Sequence, residues 1–199
     1  MFTDRFEFPT HACSWTSRRQ VFAALTLCAV TLLFSEPALA QSTADTGDQA
    51  FVTAAAQGGM AEVVDGKLAV SKTNDPSVKA FAQKMVADHT KANDQLMAIA
   101  KKDGFTLPMT VGAANEQQKA SLSKLDGKTF ETAYLGGQEK GHEKMQLVFQ
   151  KEISNGQNPD LVAFAKMTLP VLKEHLSLAK SDSAKVEANT TGTGGANAQ

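Results

Sequence analysis

Cysteine is nearly missing from this 199-residue chain: the two present are Cys13 and Cys28. Both fall within residues 1–40, a stretch that reads as a removable leader. The remaining chain can then hold no disulfide, no thiolate metal ligand and no cysteine nucleophile. Aromatic residues make up only 7% of the sequence, and no segment sustains the in–out alternation of a half-buried strand. That argues against a sheet protein and against an outer-membrane barrel. Excess charge of either sign is also lacking, with a formal net charge of -1. Charge balance therefore gives no reason to expect nucleic acid or an anionic membrane surface as partner. There is no Gly-rich phosphate loop, and no Ser-His-Asp arrangement follows from spacing. Long apolar runs are absent too: the longest, "VFAALTLCAVTLLF" at 21–34, falls short of the roughly 20 residues a membrane span needs.

That run has its own logic. Arg18 and Arg19 precede it, and "ALA" at 38–40 follows it. Basic, apolar and small-x-small segments in this order make a signal peptide over residues 1–40, cleaved after Ala40. The chain is thus expected to be exported to the periplasm, with no membrane-spanning segment after cleavage. The paired arginines resemble a twin-arginine signal, but Val21 stands where such signals carry Phe, so the ordinary secretory route stays open. Residues 41–47 are small and polar and read as a flexible leader. At the other end, "EANTTGTGGANAQ" has no apolar residue larger than alanine. Such a segment cannot bury enough surface to order itself, and residues 182–199 are expected to be a disordered tail.

Residues 48–181 carry the fold. "NDPSV" and "NPDLV" offer Asp75 and Asn158 as helix caps, each followed by proline where the amide is unpaired anyway. Gly104, and later Asn155 with Gly156, end helices. The spacing predicts long helices over roughly 49–73, 76–103, 128–155 and 159–181. A shorter piece near 114–124 lies in the second connection. Val78, Phe81, Ala82, Met85, Leu96, Ile99 and Ala100 give the second long helix one apolar face. Phe130, Tyr134, Met145, Val148, Phe149 and Ile153 do so for the third. Leu161, Phe164, Ala165, Leu169, Leu172 and Leu176 do so for the fourth, where Pro170 should introduce a bend. The expected fold is all-α, an antiparallel four-helix bundle with a short extra helix in the second connection.

Three histidines remain after the leader: His89, His142 and His175. Each falls on or beside the apolar face of a different helix. In the first helix Phe51, Ala55, Gly58, Glu62, Gly66 and Ala69 share a line, and Glu62 is its one charge. Glu62, His89 and His142 sit near the midpoints of their helices, while His175 is offset by about 7 Å at 1.5 Å per residue. One carboxylate and three imidazoles could so converge on a transition-metal ion: zinc, iron, copper or manganese. Without an ion, the same groups make a polar core network in which Glu62 bonds a histidine. No residue takes a catalytic role on this reading.

"EKGH" at 139–142 matches the Glu-x-x-His signature of di-iron carboxylate helices, which should occur twice. Val86 and Leu172 stand at the equivalent positions before the other histidines, so the pair is not completed. Glu139, flanked by Lys140, Glu143 and Lys144, is expected in solvent. Asp88 and Glu174 adjoin histidines and are turned about 100° from them. Met60, Met85, Met97, Met145 and Met167 fit core filling better than copper binding.

"MVADHTKAN" (85–93), "GHEKMQLVFQKEISNGQNPDLVAFA" (141–165) and "LPVLKEHL" (169–176) together resemble the DUF4142 family. Its members are exported bacterial proteins of unknown function, sometimes labelled putative outer-membrane proteins. The resemblance spans about 48–181. It implies a ferritin-like bundle, places His89, His142 and His175 at motif positions, and places Glu62 at the acidic position of the first helix. It brings a fold and no activity. Three functions remain open from the sequence. One is an exported bundle with an interior His/Glu metal site. The others are a metal-dependent oxidase or peroxide-handling protein, and a ligand-free structural or stress-related interaction protein.

Overall fold

The computed structural model describes residues 45–191. The expected signal peptide, residues 41–44 and residues 192–199 lie outside the described residues. The described chain is all-helical: α1 (Asp45–Lys72), α2 (Pro76–Asp103), α3 (Ala113–Leu122), α4 (Gly127–Asn155) and α5 (Pro159–Thr191). No strand occurs among the described residues, and none of these helices is long and apolar enough to cross a membrane.

The boundaries follow local chemistry. Asp75 caps α2 by accepting from the amides of Ser77 and Val78. Asn158 caps α5 by accepting from Asp160 and Leu161. Each satisfies amides that have no intrahelical partner. Gly104 closes α2 at φ 79°, a left-handed conformation that costs glycine nothing. α5 runs through Pro170 without ending there.

The connections are tied to helix ends. Lys72 at the end of α1 donates to the carbonyls of Ser123 and Leu125 and pairs with Asp126, just before α4. Asp48 near the start of α1 accepts from the amides of Gln157 and Asn158 between α4 and α5. Gln49 exchanges two hydrogen bonds with the backbone of Thr106. Two ends of α1 thus hold opposite ends of α4, so the two helices run antiparallel.

α1 packs on α2 and α4, and α5 packs on α4 and α2; α3 lies against α1 and α4. Two apolar clusters fill the interior. One gathers Phe51, Leu96, Phe149, Phe164 and Leu172, with Phe51 edge-on to Phe149 at 5.0 Å between ring centroids. The other gathers Val78, Phe81, Met85, Phe130, Tyr134 and Ala179, with Phe130 stacked on Tyr134 at 6.0 Å. Along every long helix, the histidine or Glu62 lies between residues of the first cluster and residues of the second.

Three expectations change. α1 starts at Asp45, inside the stretch read as a flexible leader, and Asp48 is buried. α5 continues to Thr191, through the first part of the expected disordered tail. The apolar stripe does not stop at Leu176: Ala179, Asp182 and Val186 continue it, and Val186 is 2% exposed in the second cluster. The poverty of the segment after Val186 says nothing of the residues before it. Met97 and Met167 are exposed, because each stands one turn-position off its helix's buried stripe. Met85 is fully buried, as core filling requires.

Candidate metal centre

His89 comes from α2, His142 from α4 and His175 from α5, and all three are buried. Their ring centroids lie 5.6, 5.2 and 5.4 Å apart, a near-equilateral triangle. One ring nitrogen from each falls within 4.8 Å of the other two. No other cluster of three or more His, Cys, Asp or Glu side chains among the described residues comes so close.

The outer nitrogens of two rings are spoken for. His142 Nδ1 lies 2.8 Å from the carbonyl oxygen of Gln138. A carbonyl only accepts, so Nδ1 carries the proton and Nε2 keeps its lone pair. His175 Nε2 lies 2.9 Å from Asp88 Oδ2. The carboxylate accepts there too, and Nδ1 keeps the lone pair. Asp88 is itself held by Lys84 at 3.1 Å, and Lys84 also reaches Glu174. The inner atoms, His142 Nε2, His175 Nδ1 and His89 Nε2, are buried without a hydrogen-bond partner. Buried polar atoms left unpaired are costly, and three facing one another form a preformed donor set.

Electrostatics keeps these rings neutral. Burial pulls His89 down to about 3, helped by repulsion from His142 and His175. Burial likewise lowers His142 to about 4, against the pull of the Gln138 carbonyl. His175 is lowered by burial too, with Asp88 opposing. For Asp88 burial acts upward, but the bonds from His175 and Lys84 overcome it and hold the carboxyl below its usual range. Neutral imidazole is the ligating form.

Glu62 stands beside the triangle, not in it. Its Oε1 is 4.0 Å from His142 Nδ1, and its Oε2 is buried without a partner. Burial raises its carboxyl to about 8, opposed by the Gln138 amide and assisted by Asp65. Beneath it, Tyr134 is fully buried and its hydroxyl has no partner; burial raises that hydroxyl's pKa, with Glu62 and Asp65 adding to the effect. Glu139 accepts from Ser183 Oγ, so the single Glu-x-x-His match puts no carboxylate among the rings.

The sequence reading missed two supports. Asp88 does turn away from His89, but that direction carries it across to His175 on α5. Gln138 supplies its carbonyl through ordinary i–4 geometry to His142. The usable signal was the carboxylate next to a face histidine, since metal-binding histidines commonly hand their outer N–H to a carboxylate or carbonyl.

A cavity of about 30 Å³ adjoins the rings, and its polar lining comes from His89, His142, Glu62, Asn93 and Thr168. Its walls come close to α1 because Gly58 and Gly59 have no side chain there: a Cβ at Gly58 would collide with Met145 Cε, and one at Gly59 with Asn93.

Among solved structures, the fold is similar to a crystal structure of a DUF305 fragment from Deinococcus radiodurans. The TM-score is 0.64 at 12% identity, covering 70% of this chain and 97% of that one. At such identity the likeness concerns the fold alone. No curated protein matches the sequence. A family model described as "Domain of unknown function (DUF4142)" matches residues 34–181, which include all three histidines and most of the helical core. The chain belongs to the DUF4142 family.

Proposed function

We propose that this protein is an exported, periplasmic, ferritin-like antiparallel four-helix bundle that holds one transition-metal ion on His89, His142 and His175. The observation that carries this reading is the polarity of the rings. Two have their outer N–H tied to the Gln138 carbonyl and to Asp88, and all three leave an unpartnered nitrogen inside the triangle. That is how metal-ligating imidazoles are oriented by their surroundings.

An ion bonded to each nitrogen at about 2.0–2.1 Å brings nitrogens to within roughly 3.5 Å of one another. One nitrogen from each ring already lies within 4.8 Å of the other two, and binding would close them to that spacing. Three neutral imidazoles suit zinc, copper or iron better than the oxygen-preferring manganese. Glu62, beside the triangle, can give up its proton as an ion binds, and its carboxylate then offsets part of the ion's charge. The export reading rests on the Arg18–Ala40 pattern.

The test is metal content of untagged protein purified from the periplasm, by elemental mass spectrometry, beside His142→Ala. About one ion per chain in the wild type, lost in the variant, is the expected result. No metal after reconstitution with Zn(II), Fe(II), Cu(II) and Mn(II) leaves a polar core network in place of a metal centre.

A further inference from the structure

We infer that the cavity beside the histidines is a binding site for one small uncharged molecule, of the size of nitric oxide or dioxygen, on the open face of the metal centre. The inference rests on the metal reading above and names the ligand class of that same site. Three protein ligands leave a tetrahedral ion one free position. His89 and His142 line the cavity directly, and the Nε2 of each is buried without a hydrogen-bond partner.

Size sets the first limit. One water needs about 10–15 Å³ on the measure that gives this cavity about 30 Å³. Two or three heavy atoms fit, and a carboxylic acid, a nucleotide or a sugar does not. The walls set the second limit. Beyond the histidines and Glu62 the large lining residues are Leu96, Met145, Phe149, Phe164 and Leu172, while Asn93 brings one amide and Thr168 one hydroxyl. These give a diatomic molecule contact surface and few hydrogen bonds.

Charge sets the third. No lysine or arginine lines the cavity, and its one carboxylate is Glu62. An entering anion would meet no cationic side chain there and would lie beside the Glu62 carboxyl in a desolvated space. A neutral ligand carries no such cost.

The test uses the full mature protein loaded anaerobically with Fe(II), with bound iron measured by elemental analysis. Nitric oxide is then titrated and followed by the iron–nitrosyl absorption, beside a titration with azide. One nitric oxide per iron, with azide at least about tenfold weaker, is expected. Ala55 on α1 and Ala92 on α2 also line the cavity, so Ala92→Leu and the milder Ala55→Val add methyl groups there and replace no histidine. Each should keep its iron, and Ala92→Leu should weaken nitric oxide binding by about tenfold or more. Iron without a nitrosyl band, azide binding as tightly as nitric oxide, or unchanged nitric oxide affinity in both variants overturns this inference alone. Absence of stoichiometric iron overturns it together with the metal reading.

Discussion

The two apolar clusters and the histidine layer between them are equally buried and differently finished. In the clusters the large rings pack against one another, Phe51, Phe149 and Phe164 in one and Phe81, Phe130 and Tyr134 in the other, and among these only the Tyr134 hydroxyl lacks a partner. In the layer, each histidine and Glu62 carries a buried atom with nothing to bond. The clusters account for why the chain folds. The layer is costly as it stands, and a cluster of unsatisfied donors inside a packed apolar frame is where a ligand belongs.

The comparison breaks first at His142. Its replacement by alanine should weaken metal binding by far more than the roughly 10–100-fold typical of outer partners, read by competition with a chelating dye. The mirror experiment is Phe149→Ala, which should cost about 3–5 kcal/mol in urea unfolding and leave the metal-to-protein ratio unchanged. If His142→Ala and Phe149→Ala shift both readouts alike, the division between frame and layer is wrong.

Smaller effects sharpen the edges. Truncation after residue 181 removes Val186 from the second cluster. It should cost about 1.5–3 kcal/mol, seen as a lower urea midpoint. Asp88→Asn keeps an acceptor for His175 but removes its charge. Metal affinity should fall about tenfold, at the lower end for an outer partner, by the same dye competition.

The gentlest probe is pH on protein stripped of metal. His89 and His142 are held at about 3 and about 4, below the 6.5 they have when exposed. The unfolded chain therefore binds more protons over this interval. Their contribution is complete above about pH 6.5 and is lost as pH falls toward 4. Glu62, raised to about 8, works in the opposite direction over this range, so the readout is the difference in urea midpoint between wild type and a variant without one histidine. The midpoint of wild type relative to His89→Gln, a side chain that does not titrate, should fall with pH.

The sequence showed the helices well because their punctuation is local. Asp75–Pro76, Asn158–Pro159 and Gly104 act within a few residues, and helical spacing placed His89, His142 and His175 on buried faces. What spacing could not show was direction across helices. Asp88 turns away from its own neighbour and meets a residue on another helix, at a sequence separation of 87. The register that makes this contact belongs to packing, not to either segment alone. The position of Glu62 failed to resolve for the same reason: one line of small residues marks a close approach without saying how far a carboxylate reaches. The end of α5 was misjudged because composition was weighed over a tail whose first turns still carry Val186.

The central claim is that three imidazoles share one ion. Anomalous diffraction from crystals grown with the metal that copurifies tests it most directly. The account predicts one peak about 2.0–2.1 Å from His89 Nε2, His142 Nε2 and His175 Nδ1. A peak elsewhere, or an interior with ordered water bridging the same nitrogens and no metal peak, would contradict it.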